Sequence, residues 1–524
     1  MLLLASAISS ACGGSGGNDP APASPALPSP SLSVPGAPLV RVSGTSPFSV
    51  TCGGSAANDT VYPNAEVEPY AATNPTNPAN IVGIWQQDRW AGGGAQGLIV
   101  AASFDTGHTW TQQPLPVSQC AGDGTFARAS DPWLTFSPNG VLYALSLSFT
   151  GGALEPNSQS GILVLRSADG GKTWSAPVTL IADGSTAFND KCSMNADPHD
   201  ANFVYAVWDR LNSQTSGPSY LARTTDGGQA WEAARAIYDP GPMSQTIGNE
   251  IVVLADGTVI DYFTQIDTAA GGALSSFFAV VRSSDHGVTW SAPIEIATNL
   301  GIGTRNPKTG EAVRDGSGLG QIALGPGGEL LAVWQDARFS NGQRDGIAIA
   351  VSTDAGLTWS PPAQLNGDTS AQAFTPSVQA QPDGTIGVSY YDLRDDTADA
   401  ATLLTSYWLS QSTDGVHWQE SRIAQPFDLE LAPTSSGLFL GDYEALVSSG
   451  GAFVPFYVQT NNDGTADRTD SYALPPQPGA ALALRSVTAK AAPLASAFRS
   501  DVSANLHRLL TREVPGWDRM RRPP

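Results

Sequence analysis

The sequence predicts an all-β fold, a β-propeller of four-stranded blades, and three observations predict it. One short phrase recurs six times, as SFDTGHTW, SADGGKTW, TTDGGQAW, SSDHGVTW, STDAGLTW and the shorter STDGVHW. Its aspartates, Asp105, Asp169, Asp226, Asp285, Asp354 and Asp414, stand 57 to 69 residues apart, a period that marks an array of like units. Each copy follows an apolar or alternating run such as GLIVAAS or FFAVVRSS, the pattern of a strand entering a turn.

Two more strands joined by a tight turn precede each phrase. These pairs turn at residues 78–80, 139–140, 197–202, 256–257, 327–328, 383–384 and 450–451, and most carry the Asn-Gly, Asp-Gly or Gly-Gly signals of hairpins. The pair can be read seven times, so seven blades are favoured and six are the alternative. The seventh pair leads into DSYALP (470–475), a third strand without the phrase. LVRVSG (39–44) then supplies the missing fourth strand and closes the ring between the two ends of the chain. Residues 39–475 are expected to form this single domain.

The repeated phrase resembles the Asp box, or BNR repeat, of the sialidase-like propellers. Its Ser/Thr and Asp side chains can bond the turn's own N–H groups, its glycine accepts a conformation other residues avoid, and its tryptophan wedges between sheets. The box therefore reads as a structural device. The resemblance implies a glycoside hydrolase that cleaves a terminal sialic acid or another acidic sugar, with the boxes facing away from the substrate. The alternative is a non-catalytic surface propeller that binds a glycan or an extracellular protein, since this fold hosts many functions. One departure stands out: sialidases carry an early Arg-Ile-Pro phrase, and here the nearest early arginine is Arg41 in VRVSG.

Strand order places the boxes on one face and the turns after each second strand on the other. On that second face lie WQQDR, VWDR, VWQDAR and YYDLRDD, contributing Asp88, Arg89, Asp209, Arg210, Asp336, Arg338, Asp392 and Arg394. Glu68, Asp131, Asp190, Glu250 and Asp442 mark the starts of the inner strands, with Tyr443 and Glu444 beside the last. Guanidinium groups suit a carboxylate ligand, and carboxyls can act as acid or base at a glycosidic bond. A repeated Asp-Arg pair is also what a structural ion pair between blades would give. Following the resemblance, Tyr443 is the candidate nucleophile, with Glu444 or Glu68 as its base and Asp131 or Asp190 as the acid. Arg89, Arg210, Arg338 and Arg394, with their neighbouring aspartates and Asp442, are the candidate substrate-binding groups.

The histidines exclude other chemistries. His108, His286 and His417 lie in the repeated phrase, His199 lies in a hairpin on the same face, and His507 lies in the tail. None is expected on the second face, where the acids and arginines gather, which argues against a Ser-His-Asp triad or a histidine-ligated zinc there. No cofactor is assigned; calcium on the acidic loops stays open but has no defined ligand spacing. A net charge of −22 argues against nucleic acid or an anionic membrane as a partner. A monomer is expected.

The ends carry their own signals. MLLLASAISSAC (1–12) resembles a bacterial lipoprotein signal with Cys12 as the lipidated residue, and a Gly-, Ser- and Pro-rich stretch (13–38) reads as a tether. An ordinary secretory signal is the alternative; both export the chain, and a lipid anchor is its expected contact with a membrane. Cys52 and Cys120 flank the first blade, so a disulfide between them would pin the closure, although Cys120 with Cys192 stays open. Residues 476–524 carry eight basic and three acidic residues and read as a disordered tail, with an amphipathic helix as the alternative.

Overall fold

The computed structural model describes residues 39–52, 59–122, 124–461, 464–476, 485–491 and 498–513. The signal, the tether and Cys12 lie outside the described residues. The fold is an all-β propeller. Its antiparallel units each run outward from an inner strand. The first unit is Glu66–Thr73, Ile81–Arg89, Ala95–Ser103 and Thr111–Pro114, and the second is Arg128–Phe136, Leu142–Thr150, Gln159–Ser167 and Val178–Asp183. The next units begin at Phe188–Ala196, Ser244–Val253, Gly320–Leu324 and Ala373–Ala380. The last begins at Ala445–Ser449 and continues through Ala452–Thr460 and Thr469–Ala473. Val40–Arg41 completes it, with Val40 opposite Ala473 and Arg41 opposite Tyr472. Inner strands touch in chain order, and Ala445–Ser449 returns to Glu66–Thr73, so the ring is closed.

The strands hold because both faces of each unit are covered by its neighbours, which favours long apolar runs over alternation. All nine residues of Ile81–Arg89 are buried, and Trp85, Trp208, Trp334 and Trp418 are among the largest fully buried side chains. The repeated turns do the structural work expected of them. In the fourth, Ser283 Oγ donates to Asp285 Oδ1 at 2.7 Å, and the N–H groups of Gly287 and Thr289 donate to Ser283 Oγ and Asp285 Oδ1 at 2.7 and 2.9 Å. Trp290 Nε1 closes back onto the Gly287 carbonyl at 3.1 Å. Asn80, in the first hairpin, donates to the carbonyls of Ser103 and Gly170 at 2.9 and 3.1 Å. Hairpins and repeated turns therefore share one face, and the opposite face is left for a site.

Cys52 and Cys120 are joined, with Cα atoms 5.5 Å apart, and Cys192 is free and buried. Among its described residues the tail corrects the expectation of disorder, and its helix is the alternative that expectation carried. Arg485–Thr488 pairs with His417–Arg422, Lys490–Ala491 pairs with Ala363–Gln364, and Arg499–Glu513 is a helix. The basic composition hid an apolar stripe: Phe498, Val502, Leu506, Leu509 and Leu510 recur at helical spacing and are buried in the core cluster that holds Leu274, Leu300 and Leu319. Leu274 N–H donates to Ser503 Oγ at 2.8 Å, and Asn505 and Arg508 cap the carbonyls of Gly301 and Ile302. Leu509 has no exposed surface, so Leu509→Ala is expected to cost about 2–5 kcal/mol, read as a lower urea midpoint. An unchanged midpoint would contradict the docking of this helix. No helix among the described residues is long and apolar enough to cross a membrane.

Candidate functional site

One local irregularity builds the site. The inner strands bulge between Val67 and Tyr70, Ser130 and Trp133, Asp190 and Ser193, Ile247 and Glu250, and Phe374 and Ser377. At each bulge one residue takes a left-handed backbone: Glu68 (φ 51°), Asp131 (47°), Lys191 (41°), Gly248 (69°) and Thr375 (48°). A bulge spends one residue to re-aim a side chain. Here that residue is charged three times in succession. Pro69, Pro132 and Pro376 follow three of the bulged residues, at points where a ladder N–H is not needed.

The re-aimed side chains meet at Lys191. Its Nζ lies 2.8 Å from Asp442 Oδ2, 3.5 Å from Glu68 Oε1 and 3.6 Å from Asp131 Oδ1. Asp442 is also gripped by Arg314, through Nη2 at 2.5 Å and Nε at 3.1 Å. Arg314 sits on a short parallel pair, Val313–Arg314 with Leu438–Phe439. Phe439 offers its ring to both guanidiniums, 4.3 Å from that of Arg314 and 4.7 Å from that of Arg89. Arg89 donates to Gln86 Oε1 at 2.5 Å and to Ser435 Oγ at 3.2 Å, and Gln86 Nε2 turns to Glu68 Oε2.

Three cations and three carboxyls share one buried cluster, and the environment pushes the carboxyls apart. Burial, with Asp131 and Asp442 beside it, raises Glu68 to about 8 against the pull of Lys191. Burial acts on Asp442 too, but Arg314 and Lys191 outweigh it and hold this carboxylate well below the usual range. Burial and the neighbouring Arg314 bring Arg89 down to about 10. Tyr443 stays a neutral phenol, raised by burial and by Glu68 and Asp131, and its hydroxyl donates to the Pro132 carbonyl at 3.2 Å.

Two clefts open onto this cluster. The smaller, about 380 Å³, is lined by Arg89, Arg314, Lys191, Asp131 and Asp190 together with Phe149 and Phe188. The larger, about 460 Å³, is lined by Lys191, Asp442, Tyr443, Glu250 and Trp133. Lys191 stands in the wall they share. Glu68 is fully buried behind them and lines neither. It therefore sets the charge of the cluster, although Lys191 and not the solvent is its neighbour.

The structure thus brings Arg89, Glu68, Asp131, Asp190, Asp442 and Tyr443 together and leaves the other candidates elsewhere. Arg210 closes a two-pronged pair with Asp183 at 2.7 and 2.8 Å, on the ring of Tyr220. Arg338 pairs with Asp336 and caps the Thr298 carbonyl, each at 2.7 Å. Arg394 lies between Asp392 and Glu420, 3.7 Å over Trp408. These are local ion pairs, and the aspartates are further fixed by indole N–H groups, from Trp334 to Asp336 at 2.8 Å and from Trp408 to Asp392 at 2.9 Å. Asp88 turns from Arg89 to the Asn64 N–H and the Ser46 hydroxyl, at 2.8 and 2.6 Å. Asp209 is buried opposite Asp190 in the strand pair. Glu444 also corrects its expected role: it accepts from the Val458 N–H of the last unit at 3.1 Å and reaches Tyr391 of the unit before it, away from Tyr443. Lys191, Arg314, Ser435 and Glu250 complete the site. The first three escape a reading that looks for Asp-Arg phrases, because they sit on a bulge and on linkers.

No family model matches the chain. A sialidase of Micromonospora viridifaciens is 29% identical over 379 residues, which are 65% of this chain and 52% of that protein. The chain thus spans about half the length of this curated relative. The fold is similar to that of the Hadza microbial sialidase Hz136, with a TM-score of 0.41 and 16% identity over 78% of this chain and 66% of that one. It is also similar to the α-L-arabinofuranosidase Arb93A of Fusarium graminearum, with a TM-score of 0.42 and 13% identity over 62% and 88%.

Proposed function

We propose that this chain is an exported glycoside hydrolase of the sialidase-like propeller type that acts at a terminal acidic sugar. The smaller cleft carries the reading: Arg89, Arg314 and Lys191 line it beside Asp131 and Asp190. Two guanidiniums and an ammonium match a sugar carboxylate, and a carboxyl on the same wall can give and take the proton of the glycosidic oxygen. Tyr443 lines the adjoining cleft across Lys191. To attack, its hydroxyl must leave the Pro132 carbonyl and pass its proton to a carboxylate; Glu68 and Asp131 act on it electrostatically, and Glu68, raised to about 8, can take that proton only after losing its own. The sequence likeness to a sialidase supports this reading. The apolar start and Cys12 support export, by lipid anchoring at the envelope or by secretion.

A second reading is favoured by one observation. The Tyr443 hydroxyl is already satisfied by a carbonyl, and Glu444 is turned away from it. A propeller that binds an acidic glycan without cleaving it needs neither group.

Hydrolysis of a fluorogenic sialoside and a fluorogenic glucuronide separates the two. The parent is expected to turn over one of them, Tyr443→Phe to lose at least 100-fold in kcat, and Arg89→Met to raise KM at least tenfold. No turnover of either sugar, with binding retained, would reject the hydrolase and leave the binding propeller.

A further inference from the structure

The seam of the ring holds a second group of acids that the cleft does not use. Glu66 begins the first inner strand, whereas Asp467 and Asp470 lie in the last turn and strand of the last unit. One carboxylate oxygen from each lies within 4.8 Å of the other two. Proximity of acids alone would mean little. Glu66, however, is fully buried, and its Oε2 has no hydrogen-bond partner, while Oε1 accepts from Gln87 Nε2 at 2.5 Å. Asp467 Oδ1 is likewise buried without a partner. A buried carboxyl oxygen left bare beside two others is costly unless a proton or a cation completes it.

Arg41 answers part of this charge, at 2.8 Å from Asp467 and 2.6 Å from Asp470. Ser43 Oγ and Asn461 Nδ2 add hydrogen bonds to Asp470, each at 2.7 Å. These contacts of Arg41 reach Asp467 and Asp470, not Glu66. The bare oxygens belong to Glu66 and Asp467, from opposite sides of the seam.

We propose that Glu66, Asp467 and Asp470 form a calcium site that clasps the two ends of the ring. All its donors are carboxylate oxygens, the hard set that selects calcium or magnesium over softer metals. Calcium fits better, because it accepts several carboxylates in an irregular shell, whereas magnesium demands a near-ideal octahedron and keeps most of its water. The ion would sit at the seam between the first and last units. Ala65 bridges Thr469, the Thr469 hydroxyl donates to the Glu66 carbonyl at 2.8 Å, and Val40–Arg41 makes a two-residue pairing. A tie at this point closes a chain of some 400 residues, so its effect falls on the stability of the whole ring.

Thermal unfolding of the full chain, first in chelator and then in 1 mM calcium chloride or 1 mM magnesium chloride, tests this. Calcium is expected to raise Tm by at least ~3 °C and magnesium by less. Glu66→Gln and Asp467→Asn should each lose the calcium shift, and Glu66→Gln in chelator should be no less stable than the parent, because it replaces a bare buried acid with an amide. Equal Tm in chelator and calcium, an equal shift with magnesium, or a calcium shift retained in both variants would overturn the assignment. If either variant fails to fold, calorimetric titration of the chelator-treated parent with calcium decides: one equivalent is expected at a site, and no binding overturns it.

Discussion

Replacing Lys191 with methionine is expected to cost about 3–5 kcal/mol of stability at pH 7.5. Methionine matches the lysine stem out to Cε and lacks only the ammonium, so the loss reports chiefly on the charge. The ammonium is all but buried between Asp442, Glu68 and Asp131, and its removal leaves carboxyls facing one another in a low dielectric. Urea denaturation at pH 7.5 measures it. A small loss would show that the cluster is held by packing and not by charge.

The second large effect is on pH dependence. Burial raises Glu68 and Glu250 from 4.5 to about 8, and Asp345 from 3.8 to about 8. A raised carboxyl keeps its proton in the folded state after the unfolded chain has lost it. Stability therefore falls as pH climbs from about 4.5 through about 8, by roughly 1.4 kcal/mol per pH unit for each such group. The turn aspartates act oppositely, and only at lower pH. Hydrogen bonds from Thr358 and its neighbours hold Asp354 at about 2, and Asp285 and Asp414 are also depressed by the donors of their turns. Their contribution is complete above about pH 4 and disappears below it. Tm is thus expected to peak near pH 5 and to decline toward pH 8.5. Glu250→Gln keeps the acceptor for the Ile322 N–H and removes one titrating group, so it should flatten that decline. A Tm that rises from pH 5 to 8.5 would contradict the burial of these acids as charged-state penalties.

How much of this was legible follows from which signals are local. The repeated turns, the hairpins and the closing strand at Val40–Arg41 were readable, because turn residues and short apolar runs announce themselves within a few positions. So was the Cys52–Cys120 bond, since both cysteines flank one unit. The site was half legible. Glu68 and Asp131 stand out as acids at the starts of inner strands, but their convergence depends on bulges. The one visible sign of those bulges is a proline after Glu68, Asp131 and Thr375. Lys191 carries no such sign. Arg210, Arg338 and Arg394 misled because a two-pronged structural pair and a two-pronged ligand site use the same chemistry. The distinguishing partners, Asp183, Thr298 and Glu420, are 27, 40 and 26 residues away. The tail misled because composition averages over a helix whose apolar face is a narrow stripe.

The central claim is that Arg89, Arg314 and Lys191 make the smaller cleft a receptor for a sugar carboxylate. Calorimetric titration of the ring with N-acetylneuraminic acid, with glucuronic acid and with the methyl ester of each tests it most directly. The account predicts that one free acid binds and that its ester, which has the same shape and no charge, binds at least tenfold more weakly, as expected for loss of a charge-assisted hydrogen-bond pair. Equal affinity for acid and ester, or no binding of either acid, would contradict it.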